Sequence, residues 1–266
     1  MAFMELHFRS DVLRMRVTAS VILPEEAKKR ADGDPPYKTL FLLHGFSDDH
    51  TIWMTRTSIE RYAADRGIAV VMPSALHSWY TDTAAGPRYL TFVGEELPAY
   101  CRAFFRGMSP RREDTMVAGL SMGGYGALKV ALTYPERFGL CASLSGALDM
   151  AALTDYRLAH ENPPPHENAE WQAVFGYDVF TGADLRGGPN DLFALTERRA
   201  AEGVPFPGLF LWCGTGDRFV TDSRNYRDLL TRLGVAHTYR ESEGDHSWKW
   251  WDLHIQDALD CLDFHK

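Results

Sequence analysis

The sequence predicts a doubly wound α/β sheet, mostly parallel, of about eight strands with helices on both faces. Three observations carry this reading. Five short apolar runs, at 39–45, 68–73, 115–121, 140–146 and 208–214, each end in Gly, Ser or Pro, as strands buried on both faces do. Stretches with helical spacing of apolar residues lie between them. Near the start, "VLRMRVTASVIL" (12–23) alternates in places, as an antiparallel strand does.

The elements follow in order. The 12–23 strand opens the sheet. "PEEAKKRADGDPPYK" (24–38) is charged and carries Pro and Gly, so it reads as a surface loop. "TLFLLHG" and "IAVVMP" are the next two strands. "TMVAGLS" runs directly into a helix over 122–133, and "LCASLSG" follows it. Residues 150–205 are long and irregular, with "ENPPPHENAEW" inside; they read as a cap over a site or an elaborated surface loop. After "GLFLWCG", Tyr226, Leu229, Leu230 and Leu233 repeat at i, i+3, i+4, i+7 within a helix over 222–233. "AHTYRES" (236–242) is the last strand. Trp251, Ile255, Ala258, Leu259 and Leu262 form a similar stripe on a final helix, and both stripes read as core-facing. No repeat and no second core are visible, so 1–266 reads as one domain containing a cap-like insertion at 150–205.

Composition narrows the function classes. A chain of 266 residues, 45% hydrophobic, has enough material for a sizeable core. Its formal net charge is -8 and no Lys/Arg cluster supplies a basic face, which speaks against nucleic acid as partner. No run of about 18 apolar residues would span a membrane, and the start shows no secretory signal. Cys101, Cys141, Cys213 and Cys261 are far apart, form no CxxC pair and lie in apolar contexts. They read as buried free thiols of a reducing, cytoplasmic compartment. No motif implies a cofactor. A metal site on His160, His166 and His246 is poorly supported, because no HExxH pattern accompanies them. Trp248, Trp250 and Trp251 read as core or as a homo-oligomer interface.

The chemistry centres on "AGLSMGGYGALK" (118–129). Gly119-Leu120-Ser121-Met122-Gly123 is a G-x-S-x-G between a strand and a helix, the context in which that motif forms a nucleophile elbow. Side chains two residues either side of the serine would collide, hence the glycines, while Gly124 and Gly126 would let the helix lie close to its neighbours. Serine needs a base, and in this fold the order is Ser, then acid, then His. His246 lies in the loop "EGDHSWKWW" between the last strand and the final helix. His237, within the strand, and His254, on the helix, are poorer placed. Asp217 lies just past the strand 208–214 in a Gly-rich turn, whereas Asp222 reads as the cap of the next helix. Met122 N–H, at a helix start, and Phe46 N–H, in the loop after "LLHG", are the candidate oxyanion donors. His44 reads as a structural brace of that loop.

The motifs "LLHGFSDDHTIW", "VVMPSALHSWYTD", "EELPAYCRAFF", "AGLSMGGYGALKVALTYPERF", "SLSGALD", "GTGDRFV" and "GDHSWKWW" together resemble the esterase D-like branch of the α/β-hydrolases, with tributyrin, acetyl and feruloyl esterases as the nearest likeness. The resemblance covers most of 38–148 and 208–252 and is weak over 150–205. It implies an α/β-hydrolase fold and a serine esterase for small acyl esters, without cofactor or metal. It carries Ser121, Asp217 and His246 over as the triad and the amides of Phe46 and Met122 as the oxyanion hole. It also implies that Trp79 and Tyr80 of "SWYTD" sit near the substrate pocket, with core packing as the alternative for both. Thioester hydrolases for S-formylglutathione and sugar acyltransferases share the motifs, so the alcohol and acyl parts of the substrate stay open.

Overall fold

The computed structural model describes residues 1–25, 36–261, 263 and 264. Most of the expected loop 24–38, and Leu262 of the last stripe, lie outside these. Eight strands form one sheet: β1 (Ala2–Ser10), β2 (Met15–Leu23), β3 (Thr39–Leu43), β4 (Ala69–Pro73), β5 (Thr115–Leu120), β6 (Leu140–Leu144), β7 (Gly208–Gly214) and β8 (Thr238–Ser242). Their spatial order is β1-β2-β4-β3-β5-β6-β7-β8. The pairs β1–β2 and β2–β4 are antiparallel and all others parallel.

Ten α-helices accompany the described strands. The first are α1 (Ile52–Arg56), α2 (Ile59–Arg66) and α3 (Tyr89–Thr91), which runs through a wider turn at Phe92–Glu96 into α4 (Leu97–Phe104). Next, α5 (Met122–Thr133) follows β5, and α6 (Met150–Tyr156), α7 (Pro165–Phe175) and α8 (Leu192–Ala201) make up most of the 150–205 stretch. Last are α9 (Val220–Arg232) and α10 (Trp248–Cys261).

The central strands are buried on both faces because helices cover both. On β3, Leu40 and Leu42 join the cluster of Trp53, Ile59, Trp251 and Ile255. Phe41 and Leu43, pointing the other way, join Leu97, Leu128 and Leu230. This period of two across a double-sided core is why those segments read as unbroken apolar runs.

Two elements differ from expectation. The strand β1 was not anticipated. Met4, Leu6 and Phe8 pack inward while Phe3, Glu5, His7 and Arg9 face out, so an edge strand wet on one face presents as scattered charge. A turn with Arg14 at φ 57 then starts β2 at Met15 rather than residue 12. Asp222 is not a helix cap either. Asp217 Oδ1 accepts the Phe219 N–H at 2.9 Å, so the chain turns early and α9 begins at Val220.

The topology positions the site. From β3 the chain goes first to β4 on one side and later to β5 on the other. The loops leaving the carboxyl ends of β3 and β5 therefore diverge and leave a crevice between them. Candidate donor Phe46 lies beyond one of these ends and Ser121 beyond the other.

Candidate active site

Ser121 occupies the single residue between β5 and α5, at φ 52 and ψ −119. A non-glycine residue in this region costs on the order of 1–3 kcal/mol and persists only where its surroundings enforce it. The enforcement is visible. Ser121 N–H donates to Leu144 O at 3.0 Å, and Ser121 O accepts from the N–H groups of Gly124 and Tyr125 at 3.0 and 3.1 Å. A Cβ on Gly119 would stand 2.4 Å from Gly123 O, and one on Gly123 would stand 2.5 Å from Leu43 O. The bend is thus possible only with glycine at both places.

The three side chains picked out along the chain meet here. His246 Nε2 is 3.0 Å from Ser121 Oγ, and His246 Nδ1 is 2.9 Å from Asp217 Oδ2. They come from loops after β5, β7 and β8, brought together at the same edge of the sheet. The Asp217 side chain is fully enclosed. Burial works to raise its carboxyl, but the hydrogen bond and charge of His246, then the Phe219 N–H, hold it below the ordinary aspartate value. An ionised Asp217 must accept from Nδ1–H, which leaves Nε2 as the acceptor facing the serine hydroxyl.

The N–H groups of Phe46 and Met122 donate to no described residue. Met122 is the first residue of α5, where amides have no helical partner. The Phe46 amide is oriented through its own peptide unit. The carbonyl of that unit, Gly45 O, takes His44 Nδ1 at 2.7 Å, so the N–H on the opposite edge points away from His44. His44 is the brace expected of it.

Ser121 opens into a cavity of about 440 Å³. Phe46, Trp79, Leu153, Trp171 and Val174 supply its apolar walls, and Arg157 and Arg218 are among its polar lining. Trp79 meets Trp171 edge to face at 5.6 Å. Tyr80, expected beside the pocket, does not line it. It is fully enclosed, its hydroxyl donates to His44 O at 3.0 Å, and its ring fills the space that a Cβ on Gly126 would need. Tyr80 turns away from Trp79 because both residues take left-handed backbone angles. Leu153, Arg157, Trp171 and Val174, all from the 150–205 stretch, were missed as pocket residues. The spacing of Trp171, Val174 and Phe175 at i, i+3, i+4 was a readable signal.

The alternatives lie elsewhere. His237 Nδ1 pairs with Val235 O. His254 forms its own chain, with Asp257 at 2.6 Å and Ser242 at 3.2 Å. That serine is already engaged by Trp212 Nε1 and Glu243 O, and it lines no cavity described above. His160 is exposed and stacks on Tyr156. Among the described residues, no three His, Cys, Asp or Glu side chains group as metal donors. All four cysteines are free, with Cys101, Cys141 and Cys213 buried; Cys261 is exposed, contrary to expectation, because it ends α10 at the surface. Trp251 is core, and Trp248 and Trp250 pack half-buried against it. No described helix is long and apolar enough to cross a membrane.

A family model described as "Putative esterase" matches residues 10–262. An acetyl esterase of Caldicellulosiruptor saccharolyticus is 32% identical over 267 residues, covering 98% of either chain. Among solved structures, the fluorophosphonate-binding serine hydrolase F of Staphylococcus aureus is 32% identical with a TM-score of 0.86. An S-formylglutathione hydrolase of the same organism is 32% identical with a TM-score of 0.85. Both superpositions cover 98% of each chain.

Proposed function

The chain belongs to this esterase family, within the α/β-hydrolases, and is a carboxylic ester hydrolase; on that premise we propose that it cleaves short-chain acyl esters through an acyl-Ser121 intermediate. The observation that carries the reading is the hydrogen-bonded chain Ser121–His246–Asp217 at the mouth of an aromatic-walled cavity.

Ser121 Oγ attacks the ester carbonyl as His246 Nε2 takes its proton. Asp217 keeps the imidazole in the reactive tautomer and stabilises the imidazolium. The amides of Phe46 and Met122 receive the oxyanion, each donor worth about 10²–10³ in rate. His246 returns its proton to the departing alcohol. Water, activated by the same imidazole, then releases the acid. Helices α6 and α7 act as the cap over the cavity, with Trp79 and Trp171 bounding the acyl group. The free thiols support a reducing, cytoplasmic setting.

Thioester hydrolysis is the second reading, favoured by the likeness to an S-formylglutathione hydrolase over nearly the whole chain. The same residues would serve, with a thiolate leaving in place of an alkoxide. Rates on p-nitrophenyl acetate, butyrate and octanoate, compared with an S-acyl glutathione, test both readings. Fast acetate and butyrate cleavage that is lost in Ser121→Ala supports the ester reading. A large preference for the thioester transfers the assignment to the second, and turnover that persists in Ser121→Ala refutes the acyl-serine.

A further inference from the structure

Two buried side chains that the reaction above leaves unused stand behind Asp217 and His246. Trp251, on α10, is 5% exposed. Its ring meets the His246 imidazole edge to face, with centroids 4.9 Å apart and planes at 85°. Its Nε1–H donates to Ser145 Oγ at 3.1 Å. Ser145 follows β6 directly, has no exposed surface and takes φ 49, a conformation that costs energy for a non-glycine residue. It is pinned there by its N–H, which donates to Trp212 O at 2.8 Å.

The proton arithmetic of Ser145 is then constrained. Its oxygen accepts from the indole, so its own proton must go elsewhere. Two acceptors face it, the Asp217 carboxylate and the Cys213 sulfur. A thiol is a weak acceptor and a carboxylate a strong one, so the proton goes to Asp217. Asp217 already accepts from His246 and from Phe219 N–H. The Ser145 hydroxyl is its third donor.

We propose that Trp251 and Ser145 are positioning residues for the Asp217–His246 pair. Trp251 sets the imidazole plane with its ring and, through its indole N–H, aims the Ser145 proton at Asp217. The inference rests on the assignment of Ser121, His246 and Asp217 as the reacting chain.

The test is the pH profile of kcat/KM on p-nitrophenyl acetate for wild type, Ser145→Ala, Trp251→Phe, the double variant and Trp251→Leu, with Ser121→Ala as control. Removing a donor makes Asp217 a stronger partner for the protonated imidazole. The acidic limb in Ser145→Ala should therefore move up by about half a unit to one unit. Its kcat should fall about 3- to 30-fold at unchanged KM. Trp251→Phe should do the same to a smaller degree, since it frees the hydroxyl without removing it. The double variant should match Ser145→Ala, because both changes break one relay. Trp251→Leu should lose more kcat than Trp251→Phe, which keeps the ring.

A wild-type limb and kcat in both single variants, with only melting temperatures lowered, would overturn the proposal, as would additive losses in the double variant. If Ser145→Ala does not fold, Trp251→Phe against Trp251→Leu decides. Activity retained in Ser121→Ala defeats the underlying assignment instead. An inert Ser121→Ala beside wild-type limbs in the other variants defeats this inference alone.

Discussion

His44 Nε2 accepts the backbone N–H of Ala75 at 2.9 Å, and this bond ties the loop after β3 to the loop after β4. Because Nε2 accepts, the ring proton sits on Nδ1 and is donated to Gly45 O. Burial, with both nitrogens committed, pushes the imidazole down to about 4 and keeps it neutral. One side chain thereby orients the peptide that presents Phe46 N–H.

His44→Ala should lower kcat on p-nitrophenyl acetate by about 10- to 10³-fold with little change in KM, because a misaligned oxyanion donor acts on the transition state. Wild-type kcat would show that the loop is held without the histidine. The pH dependence of stability follows from the same burial. The folded pKa lies below the unfolded one, so the unfolded chain takes the proton first as pH falls. Stability from His44 is intact above about 6.5 and is lost between there and about 4, amounting to about 3 kcal/mol. Urea unfolding of wild type and variant should therefore show a gap that narrows from pH 7 to pH 4.5. A constant gap would count against a buried neutral His44.

Ser121→Ala should lose at least about 10⁴-fold in kcat and all labelling by a fluorophosphonate probe. Unfolding midpoints should stay close to wild type, since the elbow is held by backbone hydrogen bonds. Labelling at another residue would reassign the nucleophile.

Asp217 and Asp222 both stand near the start of α9, and they should respond differently. Asp217→Asn should cost about 10²–10⁴ in kcat through the wrong histidine tautomer. Asp222 is raised to about 7 by burial and by Asp149, and it contacts neither His246 nor Ser121. Asp222→Asn, close to its protonated form in shape and charge, should change kcat by less than about threefold at pH 6. The reverse ranking would move the acid to Asp222.

Trp171 closes one wall of the cavity against Trp79 and Phe175. Trp171→Ala should raise the octanoate-to-acetate ratio of kcat/KM, by roughly tenfold for each one or two methylenes newly accommodated. An unchanged ratio would place the acyl chain against a different wall.

Lys129 lies on α5, fully buried, with its ammonium bonded to Asn190 Oδ1 and 5.5 Å from the Tyr125 ring centroid. Burial lowers it to about 7, against a partial offset from Asp82. Between about 7 and the ordinary lysine value the unfolded chain binds the extra proton, so stability attributable to this group rises with pH across that window. Lys129→Met removes the dependence. Its stability relative to wild type should be higher at pH 6 than at pH 9, measured by urea denaturation. A pH-independent difference would mean that Lys129 stays charged throughout.

Local chemistry was readable along the chain. The elbow announces itself because a strand can turn sharply into a helix around Ser121 only with glycine at 119 and 123, and that constraint is written within five residues. The order of Ser121, Asp217 and His246 was equally legible, because each follows a strand whose apolar run is unmistakable. The edge strand β1 was not, since a strand covered on one face reports only half its burial in its residue types. Tyr80 and Trp79 are adjacent and chemically alike, yet one is sealed against Gly126 and the other lines the cavity. Which one faces the substrate depends on backbone angles that neighbouring loops impose. The cap wall and the Trp251–Ser145 bond join residues up to 106 positions apart. The sequence by itself determined the sheet, the elbow and the reacting groups, because these follow from local sterics and burial periodicity. Only the tertiary structure decided what surrounds them, because packing between distant segments is set by the shape of the whole core.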